Sequence, residues 1–380
     1  MSLKKNILGT LKWTAIVLHC LLAATLVASA WGGLVAPERG WFFPMLTLRL
    51  PFVLVLAVVD IIVLALMRKW KWLLVMVGAL LVAWPTVRNL TPLNVVSFKP
   101  EVNPADSTQF TMITFNVETF GRYDTTNYVP NASMRYILDR DADIVLVQEG
   151  SPERDYLQLT QLKSMMDEFH RKYPYHSDGN RDLLIFSKYP YTVGPDIEVR
   201  PVASSVNYVG GQYHYYAKTF DVELPQRRVR FINVHLQSTG LSNADKMQYR
   251  DLLHGHLPQN EETTAVTHSV FEKMGNAYRQ RAFEARNVRK LLNESPTDVI
   301  VAGDFNDTPG SYVYRTIKGD DMTDAWTECG LGPLYTFRSD HMYFKIDQVL
   351  YRGNLEAIDI VCEHEGESDH YPLVTTFKLK

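Results

Sequence analysis

Cysteine is scarce in this sequence of 380 residues. Only Cys20, Cys329 and Cys362 occur, without a Cys-x-x-Cys pair, so a zinc site built on such thiolates is not expected. Cys20 lies in an apolar run. Cys329 and Cys362 could form a disulfide in an oxidising compartment, but the sequence alone does not show whether they meet.

Negative charge is scarce in the first hundred residues and exceeds positive charge in the rest of the chain. Residues 1–100 carry ten Lys or Arg and two acidic residues, a net charge of +8, whereas residues 101–380 carry 29 and 40, a net charge of −11. Proteins that bind nucleic-acid backbones without sequence preference need clustered cations, which argues against this function for the acidic part. An acidic domain could still bind a phosphate through a metal ion.

The first ninety residues have few acidic groups and contain three long apolar runs, at about 13–35, 43–67 and 70–87. A transmembrane helix needs roughly 20 mostly apolar residues, so residues 1–90 are predicted to form a membrane anchor of about three helices. A cleaved signal peptide is the alternative for the first run, but that run is too long and two more follow it. Asp60 interrupts the second run, and we expect it to make a polar contact with a neighbouring helix.

The distribution of Lys and Arg predicts the topology of this anchor. Three lysines precede the first run, and the link at 68–71 reads Arg-Lys-Trp-Lys, so both are expected in the cytoplasm. Three spans then place the rest of the chain on the opposite side. In a bacterium, this topology predicts a multi-pass protein of the inner (cytoplasmic) membrane with its C-terminal domain on the periplasmic or extracellular side.

Residues 91–108 contain Pro and Asn without periodicity, which predicts a linker. From residue 109 onward, short β-rich runs alternate with stretches in which apolar residues recur every three or four positions. The predicted strands are 110–115, 144–147, 183–186, 229–234, 299–302 and 348–351, and the predicted helices are 134–140, 156–172 and 276–292. This alternation predicts an α/β domain over residues 109–380, with layered sheets and outer helices.

Polar residues suited to metal or phosphate chemistry stand at the ends of these strands. They are Asn116, Gln148, Glu149, Asn233, His235, Asp304, Asn306, Asp347, Ser368, Asp369 and His370. Each has an ordinary structural explanation when it is taken alone. Asn116 could be a turn residue, Glu149 an exposed acid and His235 a structural histidine. Asp304 stands before a tight turn that would also explain it.

As a set, these residues supply what the hydrolysis of a phosphate ester needs. Acidic residues provide the oxygen ligands that a hard cation prefers, and such a cation polarises the phosphoryl oxygens. An Asp or a His can orient and deprotonate the attacking water. Asn and protonated His can donate hydrogen bonds to the crowded oxygens of the transition state. The set therefore indicates a metal-dependent phosphoester hydrolase.

These residues lie in motifs that resemble those of the endonuclease/exonuclease/phosphatase superfamily. This deoxyribonuclease I-like group includes pancreatic-type deoxyribonuclease, abasic-site endonucleases, neutral sphingomyelinases and inositol-polyphosphate 5-phosphatases. The motifs are Thr114-Phe115-Asn116-Val117, Val147-Gln148-Glu149, Ile232-Asn233-Val234-His235-Leu236, Gly303-Asp304-Phe305-Asn306-Asp307, Ile346-Asp347-Gln348-Val349 and Ser368-Asp369-His370-Tyr371-Pro372-Leu373. One such motif is a weak signal, but the whole series in the family's order is a strong one. The resemblance covers about 110–379 and implies a four-layered α/β sandwich, in which two facing mixed sheets are flanked by helices.

The resemblance also implies a role for each residue. Glu149 is expected to hold the divalent cation, Mg²⁺ or Mn²⁺, with Asn116 nearby and Asp369 as a second ligand. Asp304 is expected to orient or deprotonate the attacking water. Asn306 is expected to hold a phosphate oxygen.

Two histidines, His235 and His370, are expected to contact the scissile phosphate, with Asp347 orienting His370. Asp182 could orient His235, as an acid does in the deoxyribonuclease branch, or form a surface salt bridge with the preceding arginine. The long insert at 237–275 is mostly polar and contains three histidines. Their spacing matches no metal site, which favours a solvated lid or a helical excursion near the pocket.

The sequence therefore predicts a membrane-anchored, metal-dependent phosphoester hydrolase, a phosphodiesterase or a phosphatase, that acts outside the cytoplasm. The anchor and the acidic domain favour a lipid head group or another surface phosphoester, although the catalytic pattern equally permits a nucleic acid or a small phosphate ester. An extracytoplasmic nuclease is one alternative, and a binding module that keeps the fold without the chemistry is another. Besides the substrate and the membrane, no obligate protein partner is evident.

Overall fold

The computed structural model describes residues 2–40, 42–95, 99–120, 132–150, 160–177, 182–195, 197–198, 215–239, 261–339 and 342–380. Its first part is helical. The helices there are α1 (Ser2–Trp31), α2 (Phe42–Leu48), α3 (Leu50–Leu66) and α4 (Trp70–Leu90), with a 3₁₀ turn at Gly32–Leu34. These helices coincide with the three apolar runs of the sequence.

Among the described residues, two helical segments, Gly9–Leu34 and Trp70–Leu90, are long and apolar enough to cross a membrane. The pair formed by α2 and α3 is bent by 54° at its break and counts as a third span if the two helices cross together. By length and composition, the chain thus has two or three candidate spans, in agreement with the predicted number. The side of the membrane on which each end lies stays a prediction.

Asp60 of α3 contacts α1. Its Oδ2 lies 2.8 Å from Nδ1 of His19. The ring of His19 also meets the ring of Trp72 in α4 edge-on, with 5.7 Å between the centroids. The predicted polar contact between helices is confirmed, and it joins all three candidate spans. Such pairing stabilises an acidic residue among apolar helices because hydrocarbon offers it no hydrogen bonds.

Strands and helices follow one another from residue 109 to the C-terminus. The strands are β1 (Gln109–Asn116), β2 (Ile144–Gln148), β3 (Tyr175–His176), β4 (Leu184–Ser187), β5 (Tyr191–Val193), β6 (Ile197–Glu198), β7 (Tyr215–Glu223), β8 (Arg228–His235), β9 (Val299–Asp304), β10 (Thr323–Asp324), β11 (Phe337–Ser339), β12 (Met342–Phe344), β13 (Asp347–Arg352), β14 (Leu355–Cys362) and β15 (Leu373–Leu379). The described helices are α5 (Ala132–Arg140), α6 (Thr160–Lys172), α7 (Glu261–Asn293), α8 (Tyr312–Lys318) and α9 (Ala325–Cys329).

The strands form two mixed sheets of similar design. The first sheet has the order β14-β15-β1-β2-β4-β3, and the second has the order β10-β13-β9-β8-β7-β5, with β6 beside β7. In each sheet, two central parallel strands, β1 with β2 or β8 with β9, are flanked by an antiparallel strand, β15 or β13. Because parallel neighbours end at the same edge of a sheet, each sheet delivers two carboxyl-terminal strand ends to one place.

The packing of these elements gives four layers. The inner faces of the two sheets meet in a core that includes Met112 and Leu146 from the first sheet and Phe231 and Ile300 from the second. Helices α5 and α6 cover the outer face of the first sheet, and α7 and α8 cover that of the second. The predicted four-layered α/β sandwich is thereby confirmed.

Helix α7 begins inside the insert predicted at 237–275. It starts at Glu261 and continues through the helix predicted from residue 276 onward, so the second part of the insert is a helical excursion. His254 and His256 lie outside the described residues, as does the side chain of His268.

The segment predicted as a linker, 91–108, is irregular where it is described. It is nevertheless tied to the sandwich, because Nδ2 of Asn94 donates to the carbonyl oxygens of Thr327 at 3.0 Å and Gly330 at 2.8 Å. The segment therefore packs along the sandwich close to the helices.

The two cysteines of the sandwich do not pair. Sγ of Cys329 donates to the carbonyl oxygen of Ala357 at 2.9 Å. Sγ of Cys362 donates to the carbonyl oxygen of Tyr335 at 3.7 Å. Burial raises the pKa of both thiols to about 12, so neither is a thiolate at neutral pH.

Gly303 of β9 permits the close approach of β8. Its φ is +140°, and a Cβ there would lie 1.9 Å from the carbonyl oxygen of Val234. We expect Gly303→Ala to lower the free energy of unfolding by about 3 kcal/mol, because both the backbone of β9 and the neighbouring strand must move. The unfolding midpoint of the full chain in one detergent measures this loss.

Gly332→Ala is the matched control for Gly303→Ala. Its φ is also positive, +76°, but a Cβ there would meet nothing within 4 Å. It should therefore cost only about 1 kcal/mol, from the backbone conformation alone. Equal midpoints for the two variants would show that the contact with β8 contributes nothing.

Candidate active site

Four strand ends meet at one edge of the sandwich. In the first sheet, Asn116 ends β1 and Glu149 follows the end of β2. In the second sheet, His235 ends β8 directly beside Asp304, which ends β9. The antiparallel strand β13 begins with Asp347 opposite Asp304. The strand order thus gathers side chains that are distant in sequence.

Oδ2 of Asp304 is the atom on which these side chains converge. Nδ2 of Asn116 donates to it at 3.2 Å and also to Oε1 of Glu149 at 3.2 Å, so one amide joins the two sheets. Nδ2 of Asn306 donates to the same oxygen of Asp304 at 3.1 Å. Asp304 itself is only 1% exposed.

Two imidazole rings flank this oxygen. Nε2 of His370 lies 3.6 Å from Oδ2 of Asp304, and Nε2 of His235 lies 3.8 Å from it. On the far side of each ring, a carboxylate binds Nδ1 at 2.9 Å, Asp347 for His370 and Asp182 for His235. These carboxylates fix the rings with Nε2 toward the centre of the site. Of the two alternatives for Asp182, the structure shows the contact with His235, while the preceding arginine lies outside the described residues.

The carboxylates raise the pKa of both rings. Burial opposes the protonation of His235, but the charges of Asp182 and Asp304 outweigh it and raise the pKa to about 10. Burial also opposes the protonation of His370, and there Asp347 and Asp304 raise the pKa to about 10. Both rings are therefore cations at neutral pH and can donate a hydrogen bond from Nε2.

Burial raises the pKa of Asp304 to about 6. The two neighbouring imidazolium rings lower this pKa and the negative charge of Asp347 raises it, but burial is the largest influence. A carboxyl group with this pKa is ionised at neutral pH and is basic enough to take a proton from a water molecule that it orients.

Backbone conformation holds two of the site residues in place. Asn306 has a φ of +51°, and its N–H donates to Oδ1 of Asp304 at 2.7 Å. Glu149 has a φ of +52°, and its N–H donates to Oδ1 of Asp182 at 2.9 Å. Residues other than glycine keep this left-handed conformation only where the surroundings compensate for the strain, and such positions cluster at functional sites.

The segment before β15 completes the edge. Oγ of Ser368 donates to the carbonyl oxygen of Asn116 at 2.7 Å and accepts the N–H of His370 at 3.1 Å. Oδ1 of Asp369 lies 4.0 Å from Nε2 of His370. The structure thus brings all the predicted site residues to one edge, namely Asn116, Glu149, His235, Asp304, Asn306, Asp347, Asp369 and His370. Their individual roles stay predictions.

Gln148 and Asn233, which also stand at strand ends, lie beneath the site and do not line it. Nε2 of Gln148 donates to Oδ1 of Asn233 at 2.6 Å, and Nδ2 of Asn233 donates to the carbonyl oxygen of Val147 at 2.9 Å. Both side chains are fully buried. They form a polar bridge between the two sheets, in which Nε2 of Gln148 and the amide of Asn233 are hydrogen-bonded while Oε1 of Gln148 has no partner among the described residues.

The site carries more acidic than basic groups. Among the described residues, its carboxylates belong to Glu149, Asp182, Asp304, Asp347 and Asp369, and its cations are the two imidazolium rings. Glu149 has the most exposed of these side chains, at 36%. Carboxylate oxygens are the ligands that Mg²⁺ and Mn²⁺ prefer, and the excess negative charge is one that a divalent cation would balance. The donor set therefore fits a cation held by Glu149.

Asp304, Asp347 and His370 form a second candidate group, since one ligand atom from each lies within 4.8 Å of the others. Two of the three are already joined by the 2.9 Å bond between Asp347 and His370. A cation held there would compete with the bond that orients the ring. We therefore favour Glu149 as the principal ligand.

Arg281 of α7 joins the loops that follow β8 and β9. Its Nη1 donates to the carbonyl oxygen of Gln237 at 2.9 Å, and its Nε lies 3.7 Å from Oδ2 of Asp307. Glu284 accepts the N–H of Gln237 at 2.8 Å. These contacts were not predicted. The sequence does contain a sign of them. Arg281 stands four positions before Ala285, so a charged residue occupies the apolar face of the helix and must have polar partners there.

The model of the endonuclease/exonuclease/phosphatase family matches residues 113–370, which is more than half of the chain. The chain belongs to this family. Its membership supports phosphoester hydrolysis as the class of reaction. Residues 12–90 match a second family model, described as a domain of unknown function. No curated protein matches the chain in sequence.

Many solved structures are similar to this family member, among them the following three. TDP2 of D. rerio, complexed with a single-strand DNA product, is 17% identical to this chain, with a TM-score of 0.43. The match covers 71% of this chain and 99% of the TDP2 chain. ANGEL2, a 2',3'-cyclic phosphatase in complex with adenosine-2',3'-vanadate, is 13% identical with a TM-score of 0.43, covering 71% and 96%. An endonuclease/exonuclease/phosphatase from Beutenbergia cavernae is 18% identical with a TM-score of 0.45, covering 71% and 72%.

Proposed function

We propose that the chain is a metal-dependent phosphoester hydrolase, a phosphodiesterase or a phosphatase, in which Asp304 activates the attacking water. The observation that carries the proposal is the convergence of Nε2 of His235 and of His370 on Oδ2 of Asp304. A base between two cationic donors suits the attack of water on phosphorus, because negative charge then develops on oxygens next to those donors.

A divalent cation, Mg²⁺ or Mn²⁺, held by Glu149 with Asn116 and Asp369 close by, would polarise a phosphoryl oxygen and offset its charge. Nδ2 of Asn116 contacts the carboxylates of both Glu149 and Asp304, so the amide keeps the ligand and the base at a fixed separation.

The proton and the phosphoryl oxygens are handled by the chain's own residues. Asp304 takes a proton from water as the water oxygen bonds to phosphorus and the ester P–O bond breaks. His235 and His370 donate from Nε2 to the phosphoryl oxygens, and the departing alcohol takes a proton from one of these rings or from solvent. Asn306 holds Asp304 through two hydrogen bonds, and to hold a phosphate oxygen its Nδ2 would exchange the bond that it donates to the carbonyl oxygen of Leu236 at 2.9 Å.

We infer that the reaction takes place outside the cytoplasm, beside the membrane. The candidate spans and the basic link at 68–71 support this orientation. The two family matches, 12–90 and 113–370, support a division into an anchor at 1–90 and a catalytic domain at 109–380, joined by the segment between them.

Hydrolysis of soluble esters by the full chain in detergent tests the proposed function. With Mg²⁺ or Mn²⁺, we expect cleavage of bis-p-nitrophenyl phosphate, p-nitrophenyl phosphate or both. EDTA should reduce the rate to background and added metal should restore it, because Glu149 alone cannot polarise the ester. Plasmid DNA belongs in the same panel, since cleavage of DNA alone would identify a nuclease. Binding of metal by calorimetry without hydrolysis of any ester would favour a binding module.

The protonation states of the site predict the pH dependence of kcat/KM. The rate should rise as pH increases through the pKa of Asp304, about 6 or lower with a cation nearby, because only the ionised carboxylate accepts a proton. It should fall only when the two rings lose their protons, with pKa values of about 10. We therefore expect most of the maximal rate to persist above about pH 8. A decline with a midpoint near the ordinary histidine pKa would contradict the imidazolium assignment.

A further inference from the structure

The loop that follows β9 packs on the ends of two candidate spans. Gly310 of this loop lies so close to Gly33, just after α1, that a Cβ on Gly33 would be 1.9 Å from the carbonyl oxygen of Gly310. A Cβ on Gly310 would in turn lie 2.3 Å from Cγ2 of Thr86, near the end of α4. The loop is therefore in direct contact with both helix ends.

Arg315 of α8 fixes this contact. Its Nη2 donates to the carbonyl oxygen of Ala30 at 2.9 Å and to Oγ1 of Thr86 at 2.6 Å, and its Nε donates to the carbonyl oxygen of Gly310 at 2.9 Å. The guanidinium also lies 4.9 Å from the ring centroid of Trp31, the last residue of α1. Tryptophan at the end of a span marks the membrane–water interface, so this loop lies at the level of the lipid head groups.

The site is close to that level. Gly310 is six residues after Asp304 and four after Asn306. Six residues of fully extended chain span at most roughly 20 Å, and four span at most roughly 14 Å. The head-group layer is itself about 5–8 Å deep on each side of a bilayer. The site therefore lies within roughly 20 Å of the loop residue that contacts the helix ends.

Helix α2 presents an apolar surface beside the same edge. Its residue Met45 packs against Met274 of α7, two turns before Arg281, which joins the loops that follow β8 and β9. Two other residues of α2, Phe42 and Phe43, have exposed side chains, at 50% and 36%. Exposed aromatic side chains on a short helix at the interface are suited to insertion among lipids.

The β11–β12 hairpin connects this apolar surface to the reactive groups. Met342 of β12 packs against the cluster that contains Met45. Phe337 of β11 meets the ring of His370 edge-on, with 5.0 Å between the centroids. The hairpin thus lies between the cluster that contains Met45 and the imidazole of His370.

We propose that the substrate is a phosphoester of a membrane lipid, which enters the site from the bilayer surface past α2. This inference rests on the proposed hydrolase function and adds the substrate class to it. Water bonds to phosphorus while one ester P–O bond breaks and the alcohol leaves with a proton. A lipid diester therefore yields diacylglycerol and a phosphorylated head group, or phosphatidate and the head-group alcohol. The net charge of −11 after residue 100 disfavours a nucleic acid in the same place.

The full chain reconstituted into lipid nanodiscs, with Mg²⁺ present, tests this inference. Phosphatidylglycerol, phosphatidylethanolamine or phosphatidic acid with a fluorescent acyl chain is placed in the same disc as the protein, and the labelled product is separated by chromatography. Bis-p-nitrophenyl phosphate and single-stranded DNA are offered in solution in parallel. We expect the lipid to be cleaved at a rate per protein that does not change when the discs are diluted, because protein and substrate share one membrane.

The double variant Phe42→Ser/Phe43→Ser tests the path past α2. We expect it to lower lipid hydrolysis about tenfold, since two large aromatic side chains no longer hold α2 among the lipids, and to leave hydrolysis of the soluble ester unchanged. Leu66→Ser is the matched control, because Leu66 is 79% exposed but ends α3 at the opposite end of the bundle. It should change neither rate.

The possible outcomes separate the two proposals. Cleavage of the soluble ester with every lipid left intact would overturn the lipid substrate and leave the hydrolase function standing. The same holds for cleavage of DNA in preference to lipid. Failure on all substrates with bound metal would overturn the hydrolase function itself. Equal loss of lipid hydrolysis in the double variant and in Leu66→Ser would overturn the role of α2.

Discussion

The Asp304→Asn variant is expected to lose about 10³-fold in kcat on a soluble phosphate ester, with little change in KM. An amide cannot take a proton from water at neutral pH. Its NH₂ group would also face the amides of Asn116 and Asn306, which donate to Oδ2 of Asp304 at 3.2 and 3.1 Å. Steady-state kinetics of the full chain in detergent, with Mg²⁺ at about pH 8, measure the loss.

Asp320→Asn is the control for this change. It makes the same chemical substitution on the surface of the sandwich, at a residue that is exposed. We expect it to keep the wild-type kcat, while unfolding midpoints show that both variants are folded. A folded Asp304→Asn protein that keeps more than about a tenth of the wild-type rate would exclude Asp304 as the base.

The His370→Ala variant is expected to lose about 10²–10³-fold in kcat, because a cationic donor to the phosphoryl oxygens is removed from a buried site. Asp347 binds Nδ1 of His370 at 2.9 Å and acts through that ring. Asp347→Asn should therefore cost less, about tenfold, and should add little when His370 is already Ala. The four proteins of this double-mutant cycle are compared by kcat and by KM.

The pH profile of Asp347→Asn separates positioning from a merely structural effect. Asp347 is a principal cause of the raised pKa of His370, so its neutral substitute should move the alkaline limb of the profile toward lower pH. A loss of rate with an unchanged profile would indicate a packing defect. Fully additive losses in the double variant would show that Asp347 acts independently of His370.

The convergence of the strand ends could be predicted because its signals are local. Asn116, Glu149 and Asp304 each follow a β-rich run, and parallel neighbours end at the same edge of a sheet. The ordered motifs then resemble one family, whose fold the structure confirms. The candidate spans could also be predicted from the sequence, since their length and composition are properties of contiguous residues.

Contacts between distant parts of the chain could not be predicted in the same way. Asp182 precedes β4, and its sequence neighbourhood permits a surface ion pair as well as the contact with His235, 53 residues away. Strands β14 and β15 were not predicted, because they mix charged and polar residues with apolar ones. The pairing that stabilises β15 joins the two ends of the domain, Gln109 with Lys378.

The contact between the sandwich and the ends of the candidate spans could not be predicted from the sequence either. The approach of Gly33 to Gly310 and the hydrogen bonds of Arg315 depend on how the helices dock, and no local pattern encodes that docking. The contacts of Arg281 with the loops that follow β8 and β9 likewise depend on the path of α7, although the position of this arginine on an apolar helix face was a visible clue.

Hydrolysis of bis-p-nitrophenyl phosphate in H₂¹⁸O, with mass spectrometry of both products, tests whether water attacks the phosphorus atom. If Asp304 directs water onto phosphorus, the wild-type protein with Mg²⁺ gives p-nitrophenyl phosphate that carries one heavy oxygen from water, together with unlabelled p-nitrophenol. An Asp304→Asn preparation made in the same way should form both products about 10³-fold more slowly. Label in the p-nitrophenol, or equal product from the two preparations, would contradict a water-activating site at these strand ends.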